Sequence, residues 1–302
     1  MDEKVPQTRI SWTSIESQLG AIRPVKGGYS LAKRGLLDLP DGKTVFVKIG
    51  TAEDTKRWVQ KELMVYEYLK GESYSFVPGV LSKNADRTGF ALEALLPEEG
   101  WSWSEEWTTE RLDATLAAMD ALALLHPTDK LLVSPSETAV DTSRNGWNML
   151  VESAELQARL LDKLEKSGHE HIAKTIDLQR ELERSLQFTL RRDTLVHYDV
   201  RSDNCAWNSE AKRVKLVDWN WAQLGDTRID TAAALVNIQR SGFDVSAAYA
   251  NRLDADALQW LTGFWLRGAA TPIWKGGSES LRDLQLESGL AAMYLLRQLN
   301  NV

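Results

Sequence analysis

The chain carries a single cysteine, Cys205, so no intramolecular disulfide can staple it, and its four histidines do not fall at zinc-ligand spacing with that thiol. It lacks a long apolar run: the longest are broken by charges such as Asp120, and the opening MDEKVPQTR has no apolar core. A membrane span and a secretion signal are therefore both unsupported. A basic stripe is missing too, with 36 Lys and Arg scattered against 43 Asp and Glu for a net charge of −7. That argues against nucleic acid as the main partner. Repeats and low-complexity tracts are absent, which excludes a solenoid and a disordered scaffold. The remaining expectation is a soluble protein of a reducing cytoplasm, monomer or homodimer.

At 302 residues there is room for two lobes with separate cores. From Ala21 to Gly50 the pattern predicts three short strands, with a strong turn at Pro40, Asp41 and Gly42 and an earlier glycine bend at Gly27 and Gly28. Lys48 lies inside the run VFVKIG, where an ammonium needs an anionic partner. A helix expected from about Asp54 to Leu69 contains Glu62, which can supply that carboxylate. Two more strand-like runs follow, around Val80 and from Phe90 to Leu96. The lobe boundary is set at Pro97, giving residues 1–97 and 98–302, with Glu93 to Leu95 as a connecting strand whose backbone suits a planar base. Beyond it helices dominate: one ending at Pro127 with His126 on its inner face, one over 152–166, one over 170–191, and several near the end separated by Gly242, Gly268, Gly276 and Gly277.

Between these helices the period shifts to short β-like runs in the stretch HYDVRSDNCAWNSEAKRVKLVD, residues 197–218. It places Asp199 two residues after His197, Asn204 five residues after Asp199, and Asp218 at the end of an apolar run. Oxygen-bearing side chains around one hairpin suit a hard divalent cation and a phosphate chain.

This stretch, followed by VDWNWAQLGDTRID with Asp230 twelve residues past Asp218, resembles the aminoglycoside phosphotransferase and choline kinase superfamily, relatives of the protein kinases. The resemblance covers about Val25 to Leu235. It implies an α+β, protein kinase-like bilobal fold: a small antiparallel sheet lobe with one main helix, and a larger, mostly helical lobe. It also implies residue roles. Asp199 would accept the proton of an acceptor hydroxyl, and Arg201 would face the transferring phosphoryl group, the competing reading being a salt bridge with Asp203. Asn204 and Asp218 would hold Mg²⁺, and Lys48, pinned by Glu62, would neutralise the nucleotide phosphates. Gly27, Gly28 and Ser30 would form a turn over those phosphates, and the backbone at Glu93 and Leu95 would take the base. The partners implied are ATP or GTP and a small-molecule hydroxyl acceptor. His197 and Asp230 are expected to brace the loop rather than touch substrate.

Two departures from the family pattern stand out. Tyr198 occupies the place after the histidine where the family most often has glycine, and Asp218 is followed by Trp219 and Asn220, not by the Phe-Gly of protein kinases. The second points to a small-molecule kinase. Trp101, Trp103 and Trp107, among Glu98, Glu99, Glu105, Glu106 and Glu110, offer an aromatic and acidic rim for a cationic or sugar-like acceptor. The favoured account of them is a solvated loop and helix start with some of the tryptophans packed inward, and that of Trp260, Trp265 and Trp274 is ordinary core packing. The sequence leaves the acceptor open among amino sugar, macrolide, amino alcohol and sugar. A catalytically silent nucleotide-binding regulator on the same fold is the competing reading.

Overall fold

Short polar turns between strand-forming runs give this chain its first sheet. At Leu39 to Lys43 the carbonyl of Lys43 accepts from the Leu39 N–H at 2.8 Å, and Gly42 takes φ 82°, a left-handed conformation that glycine adopts without strain. The computed structural model describes residues 10–25, 32–104, 106–127, 145–273 and 279–299. The chain forms two compact units, Met1–Glu105 with Thr109–Leu122 and Ser202–Ala222, and Glu106–Thr108 with Ala123–Arg201 and Gln223–Val302. Among the described residues no helix is long and apolar enough to cross a membrane.

The first unit begins with the short helix α1 (Trp12–Glu16). A five-stranded antiparallel sheet follows, with β1 (Arg23–Pro24), β2 (Lys33–Asp38), β3 (Thr44–Ile49), β4 (Val80–Lys83) and β5 (Gly89–Glu93) in the order β1-β2-β3-β5-β4. Strand periodicity sends Val45 and Val47 to one face, into a cluster with Ile15, Leu37 and Ala91. It sends Lys48 to the other. Helix α2 (Glu53–Gly71) starts where the Thr55 hydroxyl accepts from the Thr51 and Ala52 N–H groups, and it carries Glu53 and Asp54 in its first turn and Lys70 in its last, as the helix dipole favours. Its buried face holds Glu62, Leu63, Tyr66 and Leu69, with Tyr66 edge-on to Phe90 of β5 at 5.8 Å between centroids. Further on come β6 (Trp101–Ser102) and α3 (Thr109–Leu122). The unit is completed by the hairpin of β8 (Cys205–Asn208) and β9 (Arg213–Leu216), which pairs Cys205 with Leu216 and adds β6 alongside β8.

In the second unit β7 (Thr194–Val196) pairs antiparallel with β10 (Gln223–Gly225), Val196 opposite Gln223. The rest is helical: α4 (Gly146–Glu152), α5 (Ala154–Lys166), α6 (Glu170–Thr175), α7 (Leu178–Ser185), α8 (Thr227–Arg240), α9 (Ala255–Ala270) and α10 (Glu279–Leu299). Trp147, Leu150, Leu160, Leu164, Leu266 and Leu286 form its core, and the Trp147 indole donates to the Gln259 carbonyl at 2.8 Å.

Three helix boundaries differ from the sequence expectation. Helix α3 ends at Leu122, short of Pro127, which has no N–H to donate back to Ala123 and disfavours helical backbone at the residue before it; the Leu125 carbonyl accepts from the Leu195 N–H at 3.1 Å instead. His126 therefore lies beyond the helix, exposed, with Nδ1 2.8 Å from the Asp193 carbonyl. The helix expected over 170–191 is two, α6 and α7, because Asp177 caps the second by accepting from the Arg180 N–H at 3.1 Å. Gly268 does not separate helices but lies inside α9, where an added Cβ would meet the Gln285 amide at 2.8 Å.

Candidate active site

Lys48, on the α2 face of β3, is buried, and its ammonium meets two carboxylates: Glu62 Oε2 at 2.6 Å and Asp218 Oδ1 at 2.7 Å. The ion pair expected between Lys48 and Glu62 is therefore formed, and Asp218 completes a triad that joins sheet, helix and hairpin within the first unit. Burial disfavours the ammonium, but the two carboxylates more than offset it and hold the Lys48 pKa above the ordinary lysine value. One ammonium cannot balance two carboxylates. Burial, opposed by Lys48 and reinforced by the like charge of Asp218, pushes Glu62 up to about 7.

The sign of the resulting pH dependence follows. An acid whose pKa rises on folding contributes stability that is fully present below its ordinary value, here 4.5, and that is lost as pH rises through about 7. Asp230, pushed up from 3.8 to about 6 by burial against the pull of two backbone N–H groups, acts in the same direction. Glu62→Gln should flatten the fall of unfolding free energy between pH 5 and pH 8. Denaturant titrations at the two pH values check this, and an unchanged difference would contradict it.

Asn204 and Asp218 sit at the open end of the β8–β9 hairpin. The Val217 N–H donates to the Asn204 carbonyl at 3.0 Å, which continues the ladder one step past Cys205 and Leu216, so that Asn204 stands opposite Val217 and Asp218 is the next residue along the facing strand. Asn204 is buried within the short 3₁₀ turn Ser202–Asn204. Asp218 has φ 63° and ψ 62°, a costly conformation for a non-glycine residue, and is tied on Oδ1 by Lys48 and by Asn220 Nδ2 at 2.6 Å. Trp219 anchors the following turn: its indole donates to the Leu216 carbonyl at 3.2 Å, and its ring stands edge-on to Tyr74. Among the described residues no group of three or more His, Cys, Asp or Glu side chains forms a metal cage. The Asp218 carboxylate and the Asn204 carboxamide, one from each strand end of the hairpin, instead supply oxygen donors of the kind a hard cation takes when it keeps waters and draws its remaining ligands from phosphates, as Mg²⁺ does.

The loop Val196 to Arg201 belongs to the second unit, and the chain passes to the first between Arg201 and Ser202. Asp230, in the first turn of α8, accepts from the His197 N–H at 3.0 Å and the Tyr198 N–H at 2.7 Å. The Asp199 N–H donates to His197 Nδ1 at 3.3 Å. This bond makes Nδ1 an acceptor, and the fully buried His197 is a brace, as the resemblance implied. Tyr198, at φ 59°, holds the left-handed conformation that explains a preference for glycine at its position. Its hydroxyl accepts from the Asp226 N–H at 3.1 Å and lies where a side chain on Gly225 would be, 2.4 Å from a Cβ built there. The side chain thus braces β10 and the start of α8. Arg201 Nε pairs with Asp199 Oδ1 at 3.1 Å, a contact the sequence reading did not foresee.

The remaining candidates divide as follows. Gly27, Gly28 and Ser30 lie outside the described residues, as do Glu105 and Trp274. Glu93 ends β5. Its N–H goes to the Gly79 carbonyl and its Oε2 accepts from Lys215 at 2.7 Å, while the Leu95 carbonyl takes the Trp103 indole at 3.2 Å. Trp101, Trp107 and Trp260 are buried, in keeping with the packing account, and Trp103 is 40% exposed. Among the buried charges that escaped the sequence reading is Arg111 of α3, 1% exposed, bonded to carbonyls on both sides of Asn204.

A model of a phosphotransferase enzyme family matches residues 21–267. Similar solved structures include a choline kinase LicA from Streptococcus pneumoniae, 13% identical over 96% of this chain and 99% of that one with a TM-score of 0.54. An aminoglycoside phosphotransferase from Alicyclobacillus acidocaldarius is 12% identical over 100% of this chain and 98% of its own, TM-score 0.54. A GDP complex of aminoglycoside 2'-phosphotransferase-IIIa is 17% identical over 96% and 98%, TM-score 0.53. No curated protein matches the sequence. The expected fold, an antiparallel sheet with one main helix and a mostly helical remainder, is the one these structures share.

Proposed function

We propose, from the premise that this chain belongs to the phosphotransferase enzyme family, that it transfers the γ-phosphoryl group of ATP or GTP to a hydroxyl of a small molecule. The observation that carries the reading is Lys48 bonded to both Glu62 and Asp218, with Asn204 beside Asp218 on one hairpin. Lys48 meets the α- and β-phosphates, pinned by Glu62. Asn204 and Asp218 would hold Mg²⁺, which would supply charge neutralisation along the nucleotide phosphates. The turn residues Gly27, Gly28 and Ser30 are assigned to the phosphates, and the backbone of Glu93 and the Leu95 N–H take the base, so that residues 1–97 form a nucleotide-binding lobe and 98–302 a catalytic and acceptor-binding one.

Asp199 orients the acceptor hydroxyl. As the new oxygen–phosphorus bond forms, the bond from the γ-phosphorus to the bridging oxygen breaks, the nucleoside diphosphate leaves, and the hydroxyl proton passes to the Asp199 carboxylate. Arg201, paired with that carboxylate, holds it turned, and offers its guanidinium to the transferring group. Positioning and charge are what this reaction chiefly requires.

Choline kinase and aminoglycoside phosphotransferase among the similar structures suggest the acceptors to try first. Nucleoside diphosphate release should be measured over amino alcohols, aminoglycosides, macrolides and sugars, with Mg²⁺ and either nucleotide. At least one acceptor is expected to raise release well above the hydrolysis background. Mg²⁺-dependent nucleotide binding with no acceptor-stimulated release across the panel would instead favour a silent nucleotide-binding regulator.

A further inference from the structure

We infer that Arg111 is a positioning residue for the metal-holding turn: its guanidinium fixes the Ser202–Asn204 turn and thereby sets where the Asn204 carboxamide oxygen stands. The inference rests on the reading above, in which Asn204 holds Mg²⁺.

Arg111 lies near the start of α3 with 1% of its surface exposed. Burying a guanidinium is unfavourable unless its donors are met, so a residue in this place needs a definite set of acceptors. Two of them bracket Asn204: Nη2 donates to the Ser202 carbonyl at 3.1 Å and to the Cys205 carbonyl at 2.7 Å. Nη1 donates to the Ser104 carbonyl at 2.7 Å, which ties the same group to the segment entering α3. One turn of helix later, the Thr115 hydroxyl lies 3.3 Å from the Cys205 thiol while bonding the Arg111 carbonyl at 2.8 Å. The residue after Asn204 is thus held from α3 at its carbonyl and at its side chain. On the far side, the Asn204 carbonyl accepts from the Val217 N–H at 3.0 Å, next to Asp218.

A carboxamide is a weak, neutral ligand, and its contribution depends on being held in place. The planar fork of arginine meets the Ser202 and Cys205 carbonyls from Nη2 and the Ser104 carbonyl from Nη1, three acceptors at fixed angles to one another. The shorter reach and single ammonium of lysine cannot reproduce that fork, and methionine fills the space while leaving the carbonyls unbonded. Loss of the groups that orient a ligand lowers metal affinity by about 10–100-fold.

The test compares Arg111→Met and Arg111→Lys with the unchanged protein and with Asn204→Ala. Calorimetric binding of a non-hydrolysable analogue of the nucleotide that supports turnover is followed over a series of Mg²⁺ concentrations, with amide exchange over residues 202–205 measured in parallel. The expected result for Arg111→Met is an Mg²⁺ requirement about 10-fold higher, metal-free nucleotide affinity unchanged, and faster exchange in the turn. Arg111→Lys keeps the charge without the fork, and should shift the Mg²⁺ requirement in the same direction by a smaller factor. It carries the test if the methionine variant does not fold. An Mg²⁺ requirement within twofold of the original in the folded Arg111 variants, while Asn204→Ala raises it, would overturn the inference and leave the functional reading standing. An unchanged requirement in Asn204→Ala would overturn both.

Discussion

Replacing Asp199 by asparagine is expected to lower kcat by about 10²–10⁴-fold, the range that a positioned general base contributes, while nucleotide affinity stays within about twofold. The amide has the size and shape of the carboxylate and can still orient a hydroxyl, but it does not accept the proton. The loop should survive the change, because what holds it is elsewhere: Asp230 takes the N–H groups of His197 and Tyr198, and His197 Nδ1 takes the N–H of residue 199, all through backbone. The same bonds remove His197 from consideration as the base. It is fully buried, and the nitrogen nearest the loop is already an acceptor. Steady-state kinetics beside calorimetric nucleotide binding separate the two effects, and a kcat within threefold of the original would assign the base to another residue.

The second large effect is expected at Lys48. Lys48→Met leaves Glu62 and Asp218 facing one another without their shared cation, Glu62 with 3% and Asp218 with 22% of its side chain exposed. Removing one member of a buried ion pair costs about 3–5 kcal/mol, because the orphaned charge must be protonated or rehydrated. Turnover should fall with it, since the nucleotide phosphates lose their ammonium. Stability and activity are separable in the double variant Lys48→Met with Glu62→Leu. An apolar pair of similar volume removes the orphaned carboxylate and should recover most of the unfolding free energy without recovering turnover. Denaturant melts and initial rates on both variants read this out. If the double variant regained activity, Lys48 would be a structural cation and not a phosphate ligand.

Much of this was legible in the sequence. Lys48 in an apolar strand demanded a partner, and Glu62 on the next helix was the available carboxylate. The spacing from His197 to Asn204 and on to Asp218 placed the acidic residues on one loop and hairpin. The Pro-Asp-Gly turn, the strands around it and the long helix after it follow from local propensity, and local signals survive folding. What depended on distant partners did not show. The apolar period alone would carry α3 to Pro127, but the helix ends at Leu122 and the chain beyond it bonds instead to Leu195, seventy residues on from Leu125, a partner that no local pattern announces. Arg111 reads as an ordinary first-turn arginine on an amphipathic helix, and only the fold brings the turn after Arg201 onto its guanidinium. The break at Asp177 was different in kind, since an aspartate before a helical run is a capping signal in the sequence itself. Tyr198 was visible as a departure, but its answer lies in Gly225, whose missing side chain leaves the ring its place.

The most direct measurement is the identity of the product. The acceptor that stimulates nucleotide consumption is incubated with γ-labelled nucleotide and Mg²⁺, then analysed by mass spectrometry and phosphorus NMR. The account predicts a phosphate ester on one acceptor hydroxyl, formed in step with nucleoside diphosphate and absent with Asp199→Asn. Label appearing only as inorganic phosphate, with the acceptor unchanged, would contradict it.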